Sequence, residues 1–323
     1  MTSTISSTSV TTNLDPAVLE AQRQVNQMIA QMPSPDVRTP EGLAVLREMT
    51  HPQQGTIELT PTDVTIPGPG GALRLHIFTP PGPARAVMLR IHGGGWTAGA
   101  PEDDETLNDH IARTCQVAIV SPDYRLAPEA GMRDEIDDCV AAARWTASHA
   151  QDRFGVTTML LGGVSAGSHL AATTLLRLRD EDPTAFAAIA GVHLDCGRYD
   201  MSGTPSVRAA DDTTLILTPG LQAGMIDLAL PGTDAETRRQ PDLSPLYADL
   251  RGLPSALFTV GALDPLSDDS RFMAARWLAA GNRAELDVWP EGAHAFTNMG
   301  TPLATIALNR TTSWINNVLA DAR

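Results

Sequence analysis

Residues Gly163-Val164-Ser165-Ala166-Gly167 set a serine between two glycines. They stand where an apolar run, Met159 to Leu161, meets a helix-like run, Ser168 to Arg179. Few local patterns restrict a fold as much. A strand that turns at once into a helix brings two backbones together, and glycine at both flanks removes the β-carbons that would clash. The serine is then forced into a strained turn with its hydroxyl pushed out over the sheet end, as in a nucleophile elbow. At average residue frequencies G-x-S-x-G arises by chance in roughly one chain in ten of this length. The strand before it and the helix after it are what give it weight against a Gly-Ser turn without chemistry.

The surrounding pattern extends this reading. Strand-like runs occur at Asp63 to Ile66, Leu73 to Phe78, Val87 to Ile91, Val117 to Val120, before Ser165, at Ala188 to Leu194, Ser255 to Val260 and Leu286 to Trp289. From His92 onward they alternate with helical patterns at Glu102 to Arg113, Arg133 to Ser148, Asp268 to Ala280 and Thr301 to Leu319. Alternation of this kind predicts an α/β fold, a mostly parallel sheet covered by helices on both faces. The first two strands, joined by the turn Gly68 to Gly71, are expected to pair antiparallel. Helical spacing also marks Asp15 to Met32, with Asp15 as cap and Pro16 in the first turn, and a shorter helix at Pro40 to Met49. Residues 1–13 are rich in Ser and Thr and are expected to be disordered. Between Cys196 and Asp249 the alternation breaks, and this stretch reads as an insertion folding over the end of the sheet.

Composition narrows the function. The formal net charge of −15 argues against nucleic-acid binding, which needs a basic surface to replace counterions, and against docking to anionic membranes. Cys115, Cys139 and Cys196 form no C-x-x-C pair and give neither a disulfide framework nor a zinc pattern. With no secretory signal at Met1 to Thr12 and no membrane-spanning run, a cytoplasmic location is expected. Asn309-Arg310-Thr311 is then a chance sequon.

His92-Gly93-Gly94-Gly95-Trp96 follows the strand Val87 to Ile91 and is far more specific, arising by chance in about one chain in several hundred. Three glycines let a loop turn its amides into a cleft, which suits the oxyanion formed in acyl transfer. A phosphate loop is the rival, but G-x-G-x-x-G and G-K-[ST] are both absent. A serine hydroxyl needs a base, and in elbows of this type the chain order is serine, acid, histidine. Of eight histidines only His294 lies beyond the last candidate strand-end acid. His169, one helical turn past Ser165, should point along its helix, and His193 is a weaker rival. His51, His76, His110 and His149 read as surface or packing residues. Asp264 is the chosen acid because it closely follows the strand Ser255 to Val260, and sites gather at such carboxyl ends. Asp268 and Asp269 are rivals that suit the first turn of the next helix instead.

With these residues in place, the chain resembles the hormone-sensitive-lipase-like, H-G-G-G carboxylesterases of the α/β-hydrolase fold. The likeness runs from about Val87 to the C-terminus and includes Asp123-Tyr124-Arg125-Leu126-Ala127-Pro128-Glu129. It implies an eight-stranded sheet with a helical cap. The cap would comprise residues 1–50 and 196–249, over a catalytic core of 51–195 and 250–323. It implies oxyanion donors at the amides of Gly94, Gly95 and Ala166, and His92 as a loop organiser. Two residues depart from the family's usual G-D-S-A-G-G elbow: Val164 replaces the acid and Ser168 the last glycine.

The resulting expectation is a serine carboxylesterase. Ser165 attacks, His294 moves the proton, Asp264 orients the imidazole, and short-acyl esters of small molecules are cleaved without metal or organic cofactor. A looser resemblance, to bacterial esterases that deacetylate alkaloids such as heroin, extends the substrates to bulky aromatic acetates. The family often pairs as homodimers through the last strand and helix. Two other classes share these residues: an amidase or peptidase with the same triad, and a non-catalytic receptor on the same fold. Turnover of an acetate ester against a matched anilide separates them.

Overall fold

The computed structural model describes residues 14–50 and 56–322, so the expectations for the first 13 residues and for His51 lie outside it. Eight strands form one sheet: β1 (Thr62–Gly68), β2 (Gly71–Phe78), β3 (Ala86–Ile91), β4 (Val117–Pro122), β5 (Met159–Val164), β6 (Ile189–Asp195), β7 (Ser255–Gly261) and β8 (Ala284–Trp289). Their order is β1-β2-β4-β3-β5-β6-β7-β8. Only β2 runs against its neighbours, and every pair from β4 to β8 is parallel. This is the α/β-hydrolase architecture.

Eleven helices accompany the strands among the described residues. They are α1 (Pro16–Ile29), α2 (Pro40–Thr50), α3 (Glu105–Cys115), α4 (Met132–Phe154), α5 (Ala166–Glu181), α6 (Pro183–Ala187), α7 (Pro205–Ala209), α8 (Pro219–Ala229), α9 (Ala235–Arg238), α10 (Ser267–Ala279) and α11 (Pro302–Asp321). The period-two alternation of β3 shows how the sheet divides its core. Val87, Leu89 and Ile91 face a cluster shared with α4, α5 and α10. Ala86 and Met88 face the cluster that holds Ile111 of α3 and Trp314 and Ile315 of α11. Because both faces are covered, β3, β4 and β5 are buried along their whole length and read as continuous apolar runs.

Several boundaries moved. The helix expected at Glu102 to Arg113 is a 3₁₀ turn, Pro101–Asp104, followed by α3. The proline and the three acids behind it shape that turn. The strand before Ser165 runs through Gly162 and Gly163 as far as Val164, beyond the apolar run that marked it. The 196–249 stretch holds α7, α8 and α9, which composition had hidden. It packs on the N-terminal segment through a separate apolar cluster containing Val37, Leu43 and Leu46 with Leu217, Leu221 and Met225. Ala98, just beyond the glycine loop, belongs to the same cluster.

Candidate active site

Four strand ends converge. Ser165 sits between β5 and α5 with φ 55° and ψ −119°, a conformation that non-glycine residues adopt only under constraint. A β-carbon on Gly163 would lie 2.3 Å from the Gly167 main chain, and one on Gly167 would lie 2.0 Å from the Ile91 carbonyl. The two glycines are therefore a steric requirement of the turn. Ser168 adds a clamp: its hydroxyl donates to the carbonyls of Gly163 (2.6 Å) and Asp195 (2.8 Å). Neither carbonyl belongs to α5, so the residue that departs from the family pattern ties the elbow to β5 and β6.

The loops after β7 and β8 bring up the partners. His294 Nε2 lies 2.8 Å from Ser165 Oγ, and His294 Nδ1 lies 2.8 Å from Asp264 Oδ2. Asp264 Oδ1 accepts from the Leu266 amide at 2.8 Å, which fixes the carboxylate plane. Asp264 and His294 are buried, while Ser165 is partly exposed. With the proton on Nδ1, Nε2 is the acceptor for the serine hydroxyl, the protonation pattern a general base requires. The three residues selected from sequence are thus joined in space.

The glycine loop after β3 closes the other side. Gly94 has φ 116° and Gly95 φ 60°. A β-carbon on Gly94 would strike the Ala98 carbonyl at 2.0 Å, and one on Gly95 would strike Met225 Sδ at 2.3 Å. The amides of Gly94, Gly95 and Ala166 donate to no group among the described residues. His92 turns away from the serine: Nδ1 meets the Gly93 carbonyl at 2.8 Å, and its ring stacks on Tyr124 at 4.2 Å. The Tyr124 hydroxyl donates to the His92 carbonyl at 3.0 Å, and the Ala127 amide donates to the Trp96 carbonyl at 2.8 Å. The Asp123–Glu129 string therefore braces the glycine loop from behind.

The rivals are accounted for. His169 accepts from Trp96 Nε1 at 3.1 Å and its Nε2 meets the Leu243 carbonyl at 2.8 Å. Burial pulls its pKa down to about 4, so it is a neutral bridge. His193, pulled down to about 3 by burial, bonds Thr259 at 3.2 Å within the sheet. Asp268 and Asp269 do not serve the imidazole. Asp268 accepts from the Ser206 amide at 2.9 Å. Asp269 accepts from the amides of Tyr199 (2.7 Å) and Asp200 (2.9 Å) and from Thr204 Oγ1 (2.7 Å). Both lie in the first turn of α10, as expected, and from there they tie the 196–249 stretch to the core, a role that local sequence does not signal.

Cys196, Asp264 and His294 are a trio of metal-ligand side chains whose donor atoms lie within 4.8 Å of one another. Burial pushes the Cys196 thiol well above its usual range, and the other two are already bonded to each other, so the trio favours proton relay over metal binding. Met225 and Asp195 also border the site. Neither carries a motif, and both come into place only through the fold.

A cavity of about 290 Å³ opens beside the relay, lined by Gly94, Gly95, Ser165, Leu217, Met225 and His294 among others. It shares Leu46, Met49, Thr50, Ile216 and Leu221 with a larger cavity of about 540 Å³ between the N-terminal segment and residues 212–221. Ser165 also borders a recess of only about 20 Å³, enclosed by Gly95, Trp96, Arg198, Leu217, Gln222, Met225 and Leu266.

Known proteins share these features. The family model of the alpha/beta hydrolase fold matches residues 88–298. The carboxylic ester hydrolase LipN of Mycobacterium tuberculosis is 31% identical over 276 residues, 79% of this chain and 68% of that protein. An acetyl-hydrolase of Streptomyces hygroscopicus is 31% identical over 210 residues, covering 65% of this chain and 68% of its own. The solved hyperthermophilic esterase from the archaeon Pyrobaculum calidifontis superposes with a TM-score of 0.78 at 27% identity, covering 95% and 99% of the two chains. No helix among the described residues is long and apolar enough to cross a membrane. The chain belongs to the α/β-hydrolase family, in its hormone-sensitive-lipase-like carboxylesterase branch, and is a carboxylic ester hydrolase.

Proposed function

We propose that Ser165, His294 and Asp264 are nucleophile, general base and orienting acid in the hydrolysis of short-acyl, chiefly acetyl, esters of small molecules. One observation carries this reading: the His294 imidazole joins Ser165 Oγ on one nitrogen to the Asp264 carboxylate on the other, with both contacts at 2.8 Å. As Ser165 Oγ bonds to the ester carbon, its proton passes to His294 Nε2. The carbonyl oxygen becomes an oxyanion facing the amides of Gly94, Gly95 and Ala166, each donor contributing about 3 kcal/mol or more to the transition state. The C–O bond to the alcohol breaks, and the alcohol leaves with the proton from His294. Water, deprotonated by the same nitrogen, attacks the acyl-enzyme and frees the acid and Ser165.

The spaces that border the serine suggest the substrate. A recess of about 20 Å³ has room for about one water-sized group, which suits an acetyl methyl and crowds longer chains. The connected cavities of about 290 and 540 Å³ suit a large, mainly apolar alcohol, and acetylated alkaloids such as heroin are of that size and character. The segments 14–50 and 196–249, which supply most of the lining, act as the cap in this reading. The three buried thiols, all unpaired, fit a reducing, cytoplasmic setting. β8, the last strand of the sheet, and α11 form the surface we assign to a second copy, and light scattering tests it.

Organophosphonate labelling followed by peptide mapping tests the nucleophile. The label is expected on Ser165, and the Ser165→Ala variant is expected to take none. A chromogenic acetate turned over much faster than its anilide supports an esterase. Equal rates favour an amidase, and tight binding without turnover favours a receptor.

A further inference from the structure

The elbow lacks the acid that its family usually carries ahead of the serine, because Val164 stands there. Val164 is the register partner of Asp195 on β6. Partners in neighbouring parallel strands share a face, so an acid stands one strand over from the vacated position. Asp195 is 1% exposed and touches both loops of the relay. Its main-chain carbonyl accepts from the Ser165 amide at 2.8 Å and from Ser168 Oγ at 2.8 Å. Its Oδ2 accepts from Thr297 Oγ1 at 2.7 Å, three residues beyond His294. The next residue, Asn298, is held in parallel: its Nδ2 donates to Asp104 Oδ1 at 3.0 Å, while Asp104 Oδ2 accepts from Arg90 Nη1 at 2.6 Å.

We propose that Asp195 is a positioning residue for the base. Its carboxylate holds the His294 loop through Thr297, and its charge favours the imidazolium that forms as Ser165 attacks. This rests on the triad reading above. The groups facing Asp195 are Arg90 from β3, Asp264 after β7, His294 after β8, and Cys196 and Tyr199 after β6. Burial pushes the Asp195 carboxyl up to about 6, with Arg90 and His294 pulling it down and Asp264 pushing it up. Acidification through about 6 therefore protonates Asp195 and removes the charge that favours the imidazolium, which adds one protonation to the acid limb of the activity profile.

The test is kcat and KM against pH, from about 4.5 to 8, with thermal unfolding of each variant beside it. Asp195→Asn keeps an acceptor for Thr297 and removes the charge. It is expected to lower kcat about tenfold with KM within about twofold, and to remove one protonation from the acid limb. Thr297→Val removes the bond and keeps the charge, so kcat falls while the acid limb keeps its wild-type shape, and Thr297→Ser restores kcat. Wild-type kcat in Asp195→Asn, or an acid limb in that variant superimposable on the wild-type limb, overturns the proposal. Should Asp195→Asn not fold, the Thr297 pair decides: wild-type kcat in Thr297→Val overturns it. Ser165→Ala separates the two levels. If that variant still hydrolyses esters, the triad reading fails. If it is inert while Asp195→Asn behaves as wild type, only the role of Asp195 fails.

Discussion

Met225→Ala should change which acyl chain the enzyme prefers. Met225 is buried on α8, and its sulfur would lie 2.3 Å from a β-carbon built on Gly95. It also closes the recess of about 20 Å³ beside Ser165. In the wild-type recess the two further methylenes of a butyryl group meet the thioether, and overpacking of this kind typically costs about 1–3 kcal/mol. Truncation to alanine removes three heavy atoms and admits those methylenes to a mainly apolar site, with Arg198 and Gln222 at its wall. Their burial is worth about 0.8 kcal/mol each, about 1.6 kcal/mol together, or about fifteenfold in kcat/KM. Relief of crowding adds to that figure. The variant also loosens the glycine loop and costs about 2–5 kcal/mol of stability. Those effects act on every ester alike, so the butyrate-to-acetate ratio of kcat/KM isolates the recess. The assay uses p-nitrophenyl acetate, butyrate and hexanoate at one pH and temperature. A ratio in Met225→Ala within about twofold of the wild-type value refutes the assignment of this recess to the acyl group.

Ser165→Ala should retain the fold by circular dichroism and lose turnover by about four orders of magnitude or more. Asp264→Asn should be folded and slowed about 10⁴-fold, because the imidazole loses its tautomer and orientation; if Asp268→Asn is the damaging change, the acid is misassigned. Gly167→Ala places a carbon 2.0 Å from the Ile91 carbonyl, so urea unfolding should show a loss of about 1–3 kcal/mol with turnover falling in parallel. Asp269→Ala leaves two amides and a hydroxyl without their acceptor, and several kcal/mol should be lost. Burial pushes the Asp269 carboxyl up to about 6. Its contribution to stability is therefore fullest below the unfolded value of about 3.9 and declines as pH rises through about 6. The stability difference between wild type and Asp269→Ala should shrink by about 2–3 kcal/mol between pH 4 and pH 7, and a constant difference contradicts the shift.

What the sequence disclosed follows from the range of the interactions involved. The eight strands were legible because each buries apolar side chains on a periodic pattern. Ser165, Asp264 and His294, the proposed relay, could be picked out because strand ends and chain order are local information. α8 was not. Its segment, Pro219–Ala229, contains Gly220 and Gly224, each costing about 1 kcal/mol of helix propensity. The reason for the second glycine lies 187 residues away, since a β-carbon on Gly224 would stand 2.6 Å from Val37 Cγ2. Asp195 and the tie made by Asp269 stayed hidden for the same cause. Each acts on a partner brought up by the fold, and nothing beside it in the chain marks that partner. β5 continues past its apolar run through Gly162 and Gly163 to Val164, because the elbow requires as strand a pair of glycines that composition alone reads as loop.

The placement of strain argues that these loops are built for geometry. Trp96, Gln116, Ser165, Cys196, Ile216, Glu291 and Ala295 are the non-glycine residues with φ between 43° and 64° among the described residues. Five of them lie in the loops following β3, β5, β6 and β8, which surround the relay. Each such conformation costs about 1–3 kcal/mol and persists only where its surroundings over-determine it. Those surroundings are identifiable. Trp96 is held by His169 through Nε1, the Ser165 amide by Asp195, and the Cys196 amide by Thr259 at 2.7 Å. Phe296, next to Ala295, is buried in its own cluster with Trp289, Leu303 and Ala307. The opposing force is thus the sheet and its two packed faces, which lie below the site and take no part in the chemistry. A rigid frame that tolerates strained loops is what keeps two contacts at 2.8 Å and leaves the amides of Gly94, Gly95 and Ala166 open, as their proposed oxyanion role requires. It also predicts an asymmetry: changes that relax a strained loop residue cost rate before stability, whereas a change that forces a loop off the frame, as Gly167→Ala does against the Ile91 carbonyl, costs both.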